Sequence, residues 1–145
     1  MATARDLIKN KSLPQILSIS PDASVLDAIK LMAKHNVGAL LVEAVADKVQ
    51  GILTERDILM KVEARDHNAA TMKVREIMTE KVLYVESKQS VEECMELMNS
   101  KGIRHLPVYE NGNLLGLISV RDVLREVIAE QKTMISHLEN YISGL

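Results

Sequence analysis

The chain contains two copies of one unit, and that duplication limits its folds more than any other feature. Displaced by 66 positions, Ser24-Val-Leu-Asp-Ala-Ile-Lys-Leu-Met32 falls on Ser90-Val-Glu-Glu-Cys-Met-Glu-Leu-Met98, and Val37-Gly-Ala-Leu-Leu-Val42 falls on Ile103-Arg-His-Leu-Pro-Val108. One residue is then lost: at a displacement of 65, Gly51-Ile-Leu-Thr-Glu-Arg-Asp-Ile-Leu59 matches Gly116-Leu-Ile-Ser-Val-Arg-Asp-Val-Leu124. The loss falls between two strand-like runs, where a loop absorbs it. The period is too long for a solenoid, so the sequence encodes a duplicated small motif.

Each copy reads strand–helix–strand–strand–helix. Val25, Ala28, Ile29 and Met32 recur at helical spacing, and Val91, Cys94, Met95 and Met98 repeat them. Ser24 with Asp27, and Ser90 with Glu93, predict capping boxes at the starts of these helices. Short strands are expected before them, over 16–19 and 82–85. Apolar runs at 39–42 and 49–53, and again at 106–109 and 114–118, predict two further strands per copy, the second pair turned by Asn111-Gly112. A second helix then starts at Thr54 or Ser119. The fold class is α/β (α+β), with 8–62 as the first copy, 63–77 as a linker, 78–130 as the second copy and 131–145 as a C-terminal helical extension. Val74–Met78 reads as a short helical turn ahead of the second copy.

The last helix outlasts its counterpart. Ile128, Gln131, Ile135, Leu138, Ile142 and Leu145 alternate at spacings of three and four, a seam with one polar position. The stripe either covers the module's own sheet or packs a homodimer, and in a dimer Gln131 would set the register.

Composition excludes several functions. Lys and Arg number 18 against 20 Asp and Glu, a net charge of −2, so the basic face that nucleic acid requires is missing, as is a polybasic membrane patch. With no Trp or Phe and only three Tyr, there is no stacking platform for single strands. The longest uncharged apolar run, 37–42, is far too short to cross a bilayer, and the first residues carry no secretory signal. One cysteine, Cys94, permits no internal disulfide and predicts a reducing compartment, the cytoplasm. It stands at an apolar helix position where the other copy has Ala28, so it reads as a buried structural thiol. His35, His67, His105 and His137 have no partners at metal-ligand spacing, and no phosphate loop, nucleophile elbow or carboxylate pair is present. No catalytic constellation remains, so the chain reads as a non-enzyme.

What does remain is Gly51-Ile-Leu-Thr54-Glu-Arg56-Asp57 and Gly116-Leu-Ile-Ser119-Val-Arg121-Asp122. Thr or Ser followed three residues later by Asp is a capping box, which only satisfies orphan N–H groups. A capping box requires neither the Gly nor the Arg. A strand running straight into a helix N-terminus also presents N–H groups and a positive dipole end, which suits phosphate. Asp would repel phosphate and should accept from sugar hydroxyls, leaving Thr54 or Ser119 and Arg56 or Arg121 to address phosphate. Sugar plus phosphate means nucleotide.

These repeated motifs, with Val74-Arg-Glu-Ile-Met-Thr79 before the second copy and Gly102-Ile-Arg-His-Leu-Pro-Val108 within it, resemble a tandem pair of CBS (cystathionine β-synthase-type) domains, a Bateman module, over about residues 8–130. The chain is similar to stand-alone single-pair CBS proteins of bacteria and to short plant ones. The resemblance implies two copies related by a pseudo-twofold, with adenosine-binding clefts. It implies that Asp57 and Asp122 hold ribose hydroxyls, with Thr54 and Ser119 near ribose or phosphate. Ile16 and Val82 would offer backbone to adenine, with Thr79 at the entry. Arg104 and His105, beside Pro107, occupy positions whose basic side chains reach phosphates, and protonation of His105 would then favour binding. The first copy has Gly38 and Ala39 there, so two unequal sites are expected. The ligand implied is AMP, ATP or NAD(H), ahead of S-adenosylmethionine, bound to signal energy or redox state to a regulated partner that no residue identifies. The alternative is a structural dimerisation module with vestigial clefts.

Overall fold

The computed structural model describes residues 2–11, 16–45 and 48–144; Leu145, the last seam position, lies outside them. The chain divides into two compact units. One comprises Gln15–Leu83, the other Tyr84–Leu145 together with Met1–Pro14.

The first unit contains β1 (Ser18–Ile19), α2 (Val25–His35), β2 (Ala39–Val45), β3 (Lys48–Thr54) and α3 (Glu55–Lys61), followed by 3₁₀ turns at Glu63–Arg65 and Val74–Glu76. The second contains α1 (Ala4–Lys9), β4 (Val85–Glu86), α4 (Val91–Lys101), β5 (His105–Glu110), β6 (Asn113–Ser119) and α5 (Val120–Ser143). Each has a three-stranded sheet, ordered β1-β2-β3 or β4-β5-β6, with its first pair parallel and its second antiparallel. Asn111 and Gly112 turn the second hairpin with φ of 51° and 81°, positive at both central positions as a twist-matched two-residue turn requires.

The strands ahead of the first helices are shorter than the sequence suggests. Pairing in β1 covers only Ser18 and Ile19, preceded by a single further bond from Leu41 N–H to the Leu17 carbonyl. Val82 turns its N–H back onto the Glu80 carbonyl and so leaves β4 to Val85 and Glu86. Ser90 and Glu93 close a reciprocal capping box, whereas Ser24 only accepts from the Asp27 N–H.

The two cores correspond residue for residue. Val25, Ala28, Met32, Leu40, Val42 and Leu53 are buried in one unit, and Val91, Cys94, Met98, Leu106, Val108 and Ile118 occupy the same places in the other. Val74 and Ile77 complete the first core, while Ala4 and Leu7 complete the second. The residues before each copy thus close the core of the other copy's unit. Ala4-Arg-Asp-Leu-Ile8 is itself a repeat of Val74-Arg-Glu-Ile-Met78. The backbone confirms the equivalence. Ala4 and Arg5 donate to the Gln89 and Ser87 carbonyls, as Val74 and Arg75 donate to those of Ala23 and Pro21.

Burial pushes the Cys94 thiol up to about 11, with the Glu93 carboxylate adding to the effect. The thiolate is the reactive form, so Cys94 should resist thiol reagents at pH 8 in the folded protein and react at the rate of unfolding. Rapid labelling without denaturant would contradict this.

Candidate functional site

Both repeated motifs end a strand and open a helix without an intervening loop, which puts hydroxyl and carboxylate at one corner. At the start of α3, Thr54 N–H and Oγ1 both donate to Asp57 Oδ2, at 3.0 and 3.2 Å, while Thr54 Oγ1 accepts from Asp57 N–H at 3.3 Å. At the start of α5, Ser119 N–H and Oγ donate to Asp122 Oδ2 at 2.8 and 3.1 Å, and Ser119 Oγ accepts from Asp122 N–H at 3.3 Å. The plain capping role is therefore fully realised in both copies. Asp57 and Asp122 are nonetheless 8% and 9% exposed, and buried carboxylates require partners.

A lysine supplies the opposite charge in each unit, from a different element. Lys61 Nζ, one turn along α3, lies 3.1 Å from Asp57 Oδ1 and donates to the Ile77 carbonyl at 2.9 Å. Lys11, beyond α1, brings Nζ to 3.0 Å from Asp122 Oδ2 and 2.7 Å from the Leu117 carbonyl. Sequence reasoning missed both. Lys61 was legible as an i,i+4 pair with Asp57, but nothing local marks Lys11. At the position in α5 equivalent to Lys61 stands Glu126, whose carboxyl is held above its ordinary range by burial and then by Glu130.

The two corners differ in what they leave open. Thr79 donates its hydroxyl to Asp57 Oδ1 at 3.2 Å, sharing that oxygen with Lys61. Its backbone is fixed by two 2.9 Å bonds with Ile52, across Gly51. A Cβ on Gly51 would stand 2.8 Å from the Thr79 carbonyl oxygen. Both oxygens of Asp57 are therefore engaged. In the second unit the contacts converge on Asp122 Oδ2, and among the described residues Oδ1 takes no hydrogen bond.

Charge differs as well. The Val120 N–H donates to the Arg104 carbonyl at 2.9 Å, so exposed Arg104 stands at the N-terminus of α5. Half-buried His105 pairs with Ser119 across β5 and β6, and buried Pro107 pairs with Leu117. In the first unit the Glu55 N–H donates to the Gly38 carbonyl, and the Glu55 carboxylate covers Gly38, 3.0 Å from where a Cβ would sit. Where one corner carries a guanidinium, the other carries a carboxylate. Arg56 and Arg121 are exposed in the first turns of α3 and α5, and with Arg104 they form no ion pair among the described residues.

The structure thus joins Thr54, Asp57 and Thr79 in one unit, and groups Ser119 and Asp122 with Arg104 and His105 in the other. Exposed Ile16 and half-buried Val82 flank the short edge strands, and neither is hydrogen-bonded to a motif carboxylate among the described residues. Among the described residues no cluster of three or more His, Cys, Asp or Glu could hold a metal ion. No described helix is long and apolar enough to cross a membrane.

Comparison with known proteins gives a consistent picture. The family model described as CBS domain matches twice, over residues 4–64 and 74–129. A mitochondrial CBS domain-containing protein of Arabidopsis thaliana, CBSX3, is 36% identical over 98% of this chain and 72% of its own. A Burkholderia ambifaria structure described as a signal-transduction protein with CBS domains superposes with a TM-score of 0.85 at 45% identity, covering 90% of this chain and 96% of that one. A hexameric CBS-CP12 protein from bloom-forming cyanobacteria superposes at 0.76 with 35% identity, covering 86% and 70%.

Proposed function

The chain belongs to the CBS-domain family and carries the domain twice, and on that premise we propose that it is a homodimeric sensor that binds AMP, ATP or NAD(H) and signals energy or redox state to a partner protein. CBS domains are regulatory modules that bind adenosine-containing ligands; the choice among those ligands is the finer step. The observation that carries the reading is Asp122, a buried carboxylate at the head of a 24-residue helix whose Oδ1 takes no hydrogen bond among the described residues and so can accept an added donor. A ribose hydroxyl is such a donor.

The second copy is the stronger phosphate site on this reading. Arg56 and Arg121 are common to both copies, but Arg104 and His105 add cationic or donor groups in the second, whereas Glu55 sets a carboxylate at the matching corner of the first. The first copy then suits the adenosine portion alone, with Thr79 and Asp57 at the sugar. Signalling requires that nucleotide bind two arrangements of the module with different affinity. No residue is assigned a catalytic role, and a reducing compartment, the cytoplasm, is the proposed location.

Equilibrium binding of AMP, ATP, NADH and S-adenosylmethionine to the purified protein tests the proposal. Saturable binding of one of them supports it. If folded protein binds none, the module is structural and its corners are only helix caps.

A further inference from the structure

From residue 131 to 144 every residue of α5 and its cap is exposed, apolar ones included. Met134, Ile135, Leu138, Tyr141 and Ile142 are between 55% and 72% exposed, which is unusual for large apolar side chains so close together on one helix. Along the heptad, Ile128, Ile135 and Ile142 take the a positions, and Leu124, Gln131 and Leu138 take d. The flanking positions decide what covers this face. Arg125, Lys132 and Glu139 fall at e, while Val127, Met134 and Tyr141 fall at g.

We infer that the exposed half of α5 pairs antiparallel with the same segment of a second copy, Ile135 facing the partner's Leu138. This rests on the homodimer reading above and adds its face, direction and register. Antiparallel helices set e against e and g against g. With Ile135 on the partner's Leu138, Lys132 meets the partner's Glu139, and Met134 meets the partner's Tyr141. Each contact is made twice by the twofold symmetry. The first is an opposite-charge pair and the second a sulfur–aromatic contact. The outermost layer puts Gln131 against Ile142, where the amide reaches water at the end of the seam. A parallel pair sets g against the following e, and would bury Met134 against Glu139 and Val127 against Lys132 with no opposite charges matched. Only the antiparallel register satisfies all four flanking residues. It also lies within 131–144, where every residue is exposed, next to half-exposed Leu124 and Ile128.

Cysteine cross-linking reads the register. In a Cys94→Ala background, which copies Ala28 of the other repeat, Gln131→Cys is combined with Ile142→Cys. Antiparallel pairing brings the two positions together across the seam, so the double variant should form a covalent dimer under mild oxidation. Gln131→Cys alone should not, because its two copies are then about 16 Å apart along the axis, beyond the reach of a disulfide. Sedimentation should show Lys132→Glu weakening the dimer about tenfold, since two symmetric pairs change from attraction to repulsion, and Lys132→Glu with Glu139→Lys restoring it. Cross-linking by Gln131→Cys alone, or failure of the charge swap to rescue, overturns the register but leaves the dimer standing. A monomer at all concentrations overturns both.

Discussion

Gly51→Ala should destabilise the protein by about 1–3 kcal/mol, whereas Gly116→Ala, the same substitution at the equivalent position, should cost well under half of that. The two glycines differ only in what faces them. A Cβ at Gly51 meets the Thr79 carbonyl oxygen at 2.8 Å and Met78 Sδ at 3.0 Å. The carbonyl belongs to backbone pinned by its two bonds to Ile52, so relief requires breaking that bridge. At Gly116 the new methyl meets the Ile8 side chain, Cγ2 at an ordinary 3.8 Å and only the terminal Cδ1 closely, at 3.0 Å, and that end can rotate away. Denaturant titration of both variants separates them. Equal losses would mean that the Ile52–Thr79 bridge does not hold the first corner as described. Because Thr79 also donates to Asp57, Gly51→Ala should weaken nucleotide at the first copy and leave the second copy unaffected.

The second large effect is on binding. Asp57→Ala and Asp122→Ala should each weaken nucleotide at their own copy by more than tenfold, from the loss of charge-assisted hydrogen bonds worth roughly 1.5–3 kcal/mol. Each also removes a reciprocal cap, at about 1 kcal/mol of stability, and strands a lysine ammonium beside a carbonyl. The capping role and the binding role therefore predict different results. A carboxylate that only caps costs stability and leaves binding unchanged. If both variants melt earlier yet bind nucleotide as the parent does, the ribose assignment is wrong.

Most of the architecture was legible because its signals are local and occur twice. The period of Val25, Ala28 and Met32 is repeated by Val91, Cys94 and Met98, and Asn111-Gly112 fixes a hairpin turn by its own backbone preference. The segment 4–11 was not legible. Ala4, Leu7 and Ile8 match Val74, Ile77 and Met78 only through mild apolar exchanges, over too few residues for a period to emerge. They also lie at a displacement of 70 rather than 66. The site divided along the same line. Thr54 with Asp57 and Ser119 with Asp122 are local pairs, and the sequence displays them. Lys11 reaches Asp122 from 111 residues away, a closure set by packing of α1 in the second unit. The carboxylate over Gly38 was hidden for another reason: what matters there is the side chain that glycine lacks, and Glu55 fills the space.

Calorimetric titration of the purified protein with AMP and ATP is the most direct measurement. Two classes of site are expected, the tighter one weakened more than tenfold by Asp122→Ala and showing the greater preference for ATP, the weaker one weakened more than tenfold by Asp57→Ala. Two equal sites, or a tighter site that follows Asp57, would contradict the assignment of phosphate to Arg104 and His105. No heat from either nucleotide, in protein shown to be folded and confirmed by a second binding method, would contradict nucleotide sensing altogether.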